Sequence, residues 1–260
     1  LWITAFLTVI AGAVSYQSRG SLKLANNVVS NLKTRHAAEG ALLLTANKLI
    51  KRDELQGFAL RGPIFKYDMD GVVVTVNVAD ESGKIDINLA PVDLLSSLLT
   101  TLGLDVQSSA SVANAIADWR DEDSLKRTNG AEDQDYLARG LPYQAKDDEF
   151  DSIEEISLVL GMSTQLYNSV KPYITVYAQD LGVNTSLATS IVNNAVQNVV
   201  AAGKNEEFSS DYVTSTGRLI YTLHAKATAP SGITSNIVAI IRLQRGNAFE
   251  PFTILGWKQS

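Results

Sequence analysis

The residues best suited to chemistry in this sequence are carboxylates. Asp121, Asp123, Asn129, Glu132, Asp133 and Asp135 crowd one stretch, and Asp147 and Asp148 follow shortly after. Carboxylates packed this closely repel one another unless a cation lies between them. Hard oxygen ligands without His or Cys suit Ca²⁺ better than zinc. With Asp121 as loop position 1, Asp123 falls at 3, Asn129 at 9 and Glu132 at 12, which are ligand positions of an EF-hand. Leu125 at position 5 and Lys126 at position 6 break that pattern, since an EF-hand needs a ligand and a Gly there. The reading is therefore a calcium loop of another shape, with Asp121, Asp123, Asn129, Glu132 and Asp133 as ligands. Asp147 closes the cage if the chain folds back. The competing reading is a solvated acidic loop that holds no ion.

Other site chemistries find little support. The chain has no cysteine, which removes disulfides, zinc–thiolate sites and Cys nucleophiles. Its two histidines, His36 and His224, lie far apart, and HExxH, GxSxG, GxGxxG and GxxxxGK[ST] are absent. Acid pairs such as Asp121/Asp123 or Asp147/Glu149 are the kind a membrane-anchored, carboxylate-dependent hydrolase would use. No nucleophile–base constellation accompanies them, so the expectation is a protein that is not an enzyme, with no catalytic residue.

Charge bears on partners. The net charge is −6 over 260 residues. The acid is concentrated between Lys84 and Asp180, with 17 Asp and Glu against 7 Lys and Arg. Two helix–Gly–helix patterns, around Gly103 and Gly161, resemble helix-hairpin-helix modules, which grip DNA phosphates. Phosphate binding calls for Lys and Arg, so a nucleic-acid partner is not expected.

The elements that must position the acidic loop follow from periodicity. Leu1–Val14 carries no charge and reads as membrane helix, shorter than the ~20 residues of a full span. The chain starts at Leu inside this apolar run, so the expectation is that its true N-terminus is missing. Leu22, Leu24, Val28, Val29 and Leu32 continue at helical spacing, and no Pro occurs before Pro63. One helix is expected from Leu1 to about Leu55, broken by the segment Gly57–Pro63. Ile64–Asp70 and Gly71–Ala79 alternate with period two around an Asp68-Met69-Asp70-Gly71 hairpin turn, and Lys84–Ile87 is a further short strand. Asn88–Val176 reads as helical: Pro91–Leu102, Ser108–Arg120, a polar loop from Asp121 to Phe150, then Ile153–Leu160 opened by a Ser152/Glu155 capping box, and Thr164–Lys171. Another helix is expected from Val183 to about Ala202. Leu219–Ala227, Ile237–Leu243 and Phe252–Trp257 read as strands. The fold class is α+β, a long N-terminal helix on an antiparallel sheet with a large all-α domain inserted between sheet strands. The expected domains are 1–87, 88–202 and 203–260.

GKIDINLAP (83–91), DWRDED (118–123), NGAEDQDY (129–136), GLPY (140–143), SIEEISLVLGM (152–162), YITVY (173–177), GVNT (182–185) and ILGWKQ (254–259) occur in that order after a clipped apolar helix. This resembles the general secretion pathway protein K family, the large minor pseudopilin of type II secretion. The resemblance implies a pilin-like fold with an inserted α-domain, calcium in the acidic loop, and a place at the tip of a periplasmic pseudopilus. It also implies a hetero-oligomeric tip complex with other minor pseudopilins, and a single-pass anchor in the inner membrane with the folded domain in the periplasm.

Overall fold

The computed structural model describes residues 2–53, 64–203, 212–214, 219–244 and 249–259. The expected break at Gly57–Pro63 and the end of the first helix at Leu55 lie outside them. The chain forms two compact units. Leu1–Ala79 joins with Thr222–Ser260 in one, and Asp80–Tyr221 forms the other.

The first unit carries α1 (Trp2–Asp53), a helix of 52 residues, about 78 Å long at 1.5 Å per residue. Its buried positions, Thr34, Ala37, Ala38, Ala41, Leu42, Thr45, Ala46 and Leu49, recur every three or four residues and form one stripe. Most are small, which lets the helix axis come close to its neighbour. The sheet has the order β1-β2-β5-β6-β7, with β1 Ile64–Met69, β2 Val72–Asp80, β5 Ile220–Thr228, β6 Thr234–Leu243 and β7 Phe252–Gln259. β1–β2 and β6–β7 pair antiparallel, the latter with a bulge between Ile240 and Ile241. Alternation buries Val72, Val74, Val76 and Val78 on one face of β2. Two polar pairs tie α1 to the strands: Thr34 Oγ1 with Ser235 Oγ at 2.8 Å and Thr45 Oγ1 with Tyr67 Oη at 2.9 Å.

The β1–β2 hairpin turns as its sequence demands. Asp70 and Gly71 both have positive φ (52° and 79°), the geometry of a two-residue type I′ turn, and the Gly71 N–H donates to Asp68 Oδ1. Among the described residues no helix is long and apolar enough to cross a membrane. The exposed apolar side chains at the start of α1 include Trp2, Ile3, Phe6 and Leu7.

The chain leaves the sheet after β2 and returns to it at β5, so the second unit is spliced between adjacent strands. That unit holds α2 (Val92–Thr101), α3 (Val106–Arg120), α4 (Asp133–Ala138), α5 (Thr164–Val170) and α6 (Ser190–Ala202). Its core gathers Leu94, Leu98 and Leu99 of α2, Val112, Ile116 and Trp119 of α3, Tyr136 of α4 and Val192 and Val196 of α6. Asp105 caps α3 by accepting from the Ser108 N–H at 3.0 Å.

Four local expectations are corrected. The loop from Asp121 to Phe150 contains α4, because Glu132 and Asp135 start a helix turn that hydrophobic periodicity does not reveal. The Ser152/Glu155 capping box does not form, and Ile153–Leu158 is a 3-10 turn. Glu155 is engaged elsewhere, accepting from Trp119 Nε1 at 3.1 Å and from the Asp151 N–H at 3.0 Å. The helix expected from Val183 starts only at Ser190. Asn184 Oδ1 accepts from the N–H and hydroxyl of Ser186 and makes a turn, and Thr189 supplies the helix cap. Within the stretch read as helical, β4 (Ile174–Thr175) is a strand that pairs in parallel with β3 (Ile85–Asp86), the strand expected at Lys84–Ile87, as a small second sheet.

Candidate metal centre

The acidic loop is built on the C-terminal end of α3. Asp118, in the last turn of that helix, is fully buried. Its carboxylate accepts from the Arg127 N–H, from Arg127 Nη1 at 2.9 Å and from the Ala131 N–H at 2.8 Å. Arg127 Nη1 also donates to Asp121, so one guanidinium bridges two carboxylates. These bonds wrap residues 121–131 around a buried anion. Gly130 completes the wrap, because a Cβ there would stand 1.9 Å from Asp118 Oδ2. On the other side of α3, Arg120 donates to the carbonyls of Ile87 and, at 2.8 Å, Ala90.

This scaffold brings three of the predicted ligands together. One carboxylate oxygen each from Glu132, Asp133 and Asp147 lie within 4.8 Å of one another. Asp121 belongs with them electrostatically, since its charge helps raise the pKa of both Glu132 and Asp147. Five carboxylate oxygens are buried and accept no hydrogen bond: Asp121 Oδ1, both oxygens of Glu132, Asp133 Oδ1 and Asp147 Oδ1. A buried carboxylate oxygen without a donor is costly. Here five such oxygens come from three parts of the chain, and one each from Glu132, Asp133 and Asp147 lie together.

The electrostatics carry the same signature. Burial, then the charges of Asp118, Asp121, Asp147 and Asp133, push the Glu132 carboxyl up to about 7. Asp147 is raised by burial and by Asp133 and Asp121. The group thus repels its own full ionisation. A hard divalent cation with ligands at ~2.4 Å places opposed oxygens about 5 Å apart. The residues present fit such an ion in donor type, spacing and unsatisfied charge.

Asp123 and Asn129 stand differently. Asp123 is exposed, and its Oδ1 accepts from the Leu125 N–H at 2.7 Å. Asn129 is exposed with left-handed backbone (φ 61°), and its carbonyl accepts from Ser111 Oγ at 2.7 Å. Asp135 faces Lys126 at 2.6 Å and accepts from the Glu132 N–H, and these bonds, the Lys126 one foremost, hold its pKa below the usual range. Asp148 caps the Glu149 N–H. Sequence reasoning missed Asp118 and Arg127 as anchors. A carboxylate three residues before Asp121, on the apolar side of α3, was the signal for the first.

An aromatic cluster backs the site. Trp119 stacks on Phe150 (centroids 6.2 Å apart, planes 18°) and meets Tyr136 and Tyr143 at 5.5 and 6.2 Å. The Asp147 N–H donates to the Trp119 carbonyl at 3.0 Å, which seats the returning strand of the loop on the end of α3.

Comparisons with known proteins agree on one family. The family model described as "Type II secretion system (T2SS), protein K" matches residues 74–179, a segment that contains every carboxylate of the acidic loop. The type II secretion system protein K of Klebsiella pneumoniae is 27% identical over 211 residues, covering 71% of this chain and 64% of that protein. The protein of the same name from Pseudomonas aeruginosa is 26% identical over 242 residues, covering 81% and 72%. The chain thus spans somewhat less than two thirds of the length of the Klebsiella relative. In the crystal structure of the GspK-GspI-GspJ complex from the type 2 secretion system of enterotoxigenic Escherichia coli, one chain superposes with a TM-score of 0.67 at 16% identity, over 94% of this chain and 99% of that one. The helix, the split antiparallel sheet and the inserted helical unit are the fold of that structure, and the segment 74–179 is similar to type II secretion system protein K.

Proposed function

We propose that this chain is a non-catalytic minor pseudopilin, a structural part of a type II secretion pseudopilus, and that a calcium ion braces its helical unit. Similarity to type II secretion system protein K supports the first part. The splicing of a whole helical unit between two neighbouring strands supports a capping role at the filament tip: the unit adds bulk to the pilin-like body without interrupting its sheet. The partners are other minor pseudopilins of the same system. The structural relative was crystallised in such an assembly. The apolar stretch Leu1–Val14 is its seat in the inner membrane, and the folded units lie in the periplasm. Nucleic acid is not a partner, because the inserted unit is strongly acidic.

Calcium is the chosen ion because Asp121, Glu132, Asp133 and Asp147 offer only carboxylate oxygen, and four such groups suit a flexible, high-coordination cation better than Mg²⁺, which keeps much of its water. The single observation that carries this part is the set of five buried oxygens without a hydrogen-bond donor. Two experiments test the reading. Co-expression with the other minor pseudopilins of its system should yield a complex that survives size exclusion, and a chain that stays monomeric with all of them would refute the assembly role. Saturating calcium at ~100 times its dissociation constant should stabilise the protein by about 2.7 kcal/mol. A melting temperature indifferent to both calcium and chelator would refute the metal site.

A further inference from the structure

Asn88 is far from the acidic loop in sequence and takes no part in the carboxylate cluster, yet it grips the segment that carries Asp147. Its Nδ2 donates to the Phe150 carbonyl at 3.1 Å, and its Oδ1 accepts from the Phe150 N–H at 2.8 Å. One side-chain amide thus satisfies both backbone groups of one residue, as a neighbouring strand would. Asn88 is itself oriented from behind. Its N–H donates to Asp86 Oδ1 at 2.9 Å, and Asp86 Oδ2 accepts from the Gln179 N–H at 2.7 Å.

The segment between Asp147 and Phe150 is short and its start is strained. Asp147 sits at φ 56°, a left-handed conformation that residues with a side chain adopt uncommonly. Such a conformation persists only where the surroundings over-determine it. Here the Asp147 N–H is fixed on the Trp119 carbonyl, and Phe150 is fixed by Asn88, with its ring buried and stacked on the Trp119 indole. Beyond Phe150 the segment is tied by Lys146, which donates to the Glu149 carbonyl, Asp151 and Glu155, and by the Asp151 N–H, which donates to Glu155; the Asp151 arm is exposed and holds geometry weakly.

We propose that Asn88 is a positioning residue for the cation site: by clamping Phe150 it fixes where the Asp147 carboxylate stands opposite Glu132 and Asp133. The inference rests on the calcium reading above. It assigns the Asn of the GKIDINLAP stretch a role in cation affinity, exerted through Phe150 and Asp147 with no contact to the ion.

The test compares the wild-type chain with Asn88→Ala and Asn88→Asp. Calcium dissociation constants come from titration calorimetry, and terbium luminescence sensitised by Trp119, Tyr136 and Tyr143 gives a second reading. Melting curves in chelator and in calcium separate affinity from fold. Asn88→Ala is expected to weaken calcium at least tenfold and to shrink the calcium-induced rise in melting temperature, beyond any fall in chelator. Asn88→Asp keeps the acceptor for the Phe150 N–H, loses the donor and adds a negative charge. If charge alone mattered it would bind calcium more tightly, so at least tenfold weaker binding reports geometry, and this variant decides the matter if Asn88→Ala does not fold. Dissociation constants within threefold of wild type in the folded variants overturn the proposal while leaving the metal site intact. A wild-type chain that binds neither calcium nor terbium overturns both.

Discussion

Replacing Glu132 by Gln separates the two sides of the carboxylate cluster, its cost without a cation and its use with one. In the folded chain Glu132 is 6% exposed, and its carboxyl is pushed from 4.5 to about 7 by burial and by four neighbouring Asp charges. A folded-state pKa above the unfolded value means that the native state holds the proton more tightly. The resulting stabilisation is fully present below pH ~4.5 and is lost as pH rises through about 7. At 1.36 kcal/mol per pKa unit, the difference amounts to about 3 kcal/mol between pH 4.5 and pH 8. Gln keeps the shape and cannot ionise. In chelator at pH 8, Glu132→Gln should melt above wild type by ~6–12 °C, taking 2–4 °C per kcal/mol for a unit of this size. At pH 4.5 the two should coincide. In saturating calcium the order should invert, because the ion stabilises the carboxylate and Gln offers a weaker ligand. Calorimetric melts of both proteins at three pH values, with and without calcium, make the comparison. A Gln variant no more stable than wild type in chelator at pH 8 would refute the claim that Glu132 is held ionised at a cost.

Three further outcomes are expected. Gly130→Ala should lose about 3 kcal/mol in urea unfolding, since its Cβ would lie 1.9 Å from a buried, fully bonded Asp118 oxygen and the loop must move to admit it. Asp133→Ala should weaken calcium at least tenfold by calorimetry, whereas Asp123→Ala should change it less than threefold, because the Asp123 carboxylate is exposed and turned to the Leu125 N–H. Ala41→Leu should cost about 2 kcal/mol in thermal unfolding, since Ala41 is fully buried on the α1 stripe and there is no room for added methylenes.

Much of this fold was legible because its signals are local. The turn at Asp70-Gly71 needs positive φ twice, and Asp-Gly announces it. Alternating valines give β2, and the helix-long absence of Pro gives α1. What escaped the sequence depends on partners far along the chain. The apolar pattern around Val183–Ala202 is helical throughout, but Asn184 and Thr189 compete as starting points, and only the turn at Asn184 decides for the second. Glu155 has the spacing of a capping residue and is drawn instead to the indole of Trp119. The carboxylate cluster was visible as composition. Its geometry was not, because an EF-hand frame assigns ligands by spacing, whereas here a salt-bridged Arg127 and a buried Asp118 decide which carboxylates turn inward.

Asp118 and Arg127 explain why so much negative charge can be stored at one place without unfolding it. Asp118 is the innermost carboxylate, and it is fully served by donors: two backbone N–H groups and one guanidinium. Arg127 spends its remaining reach on Asp121 and offsets part of that charge as well. The imbalance therefore falls on Glu132, Asp133 and Asp147, whose buried oxygens have no donor and whose bearers come from α4 and from the returning loop. A cation bound there would join the start of α4 to the segment before Phe150, beside the end of α3. The site is thus built as a fastener for its own unit, and the charge that destabilises the metal-free chain at neutral pH is the same charge that gives the proposed ion its hold.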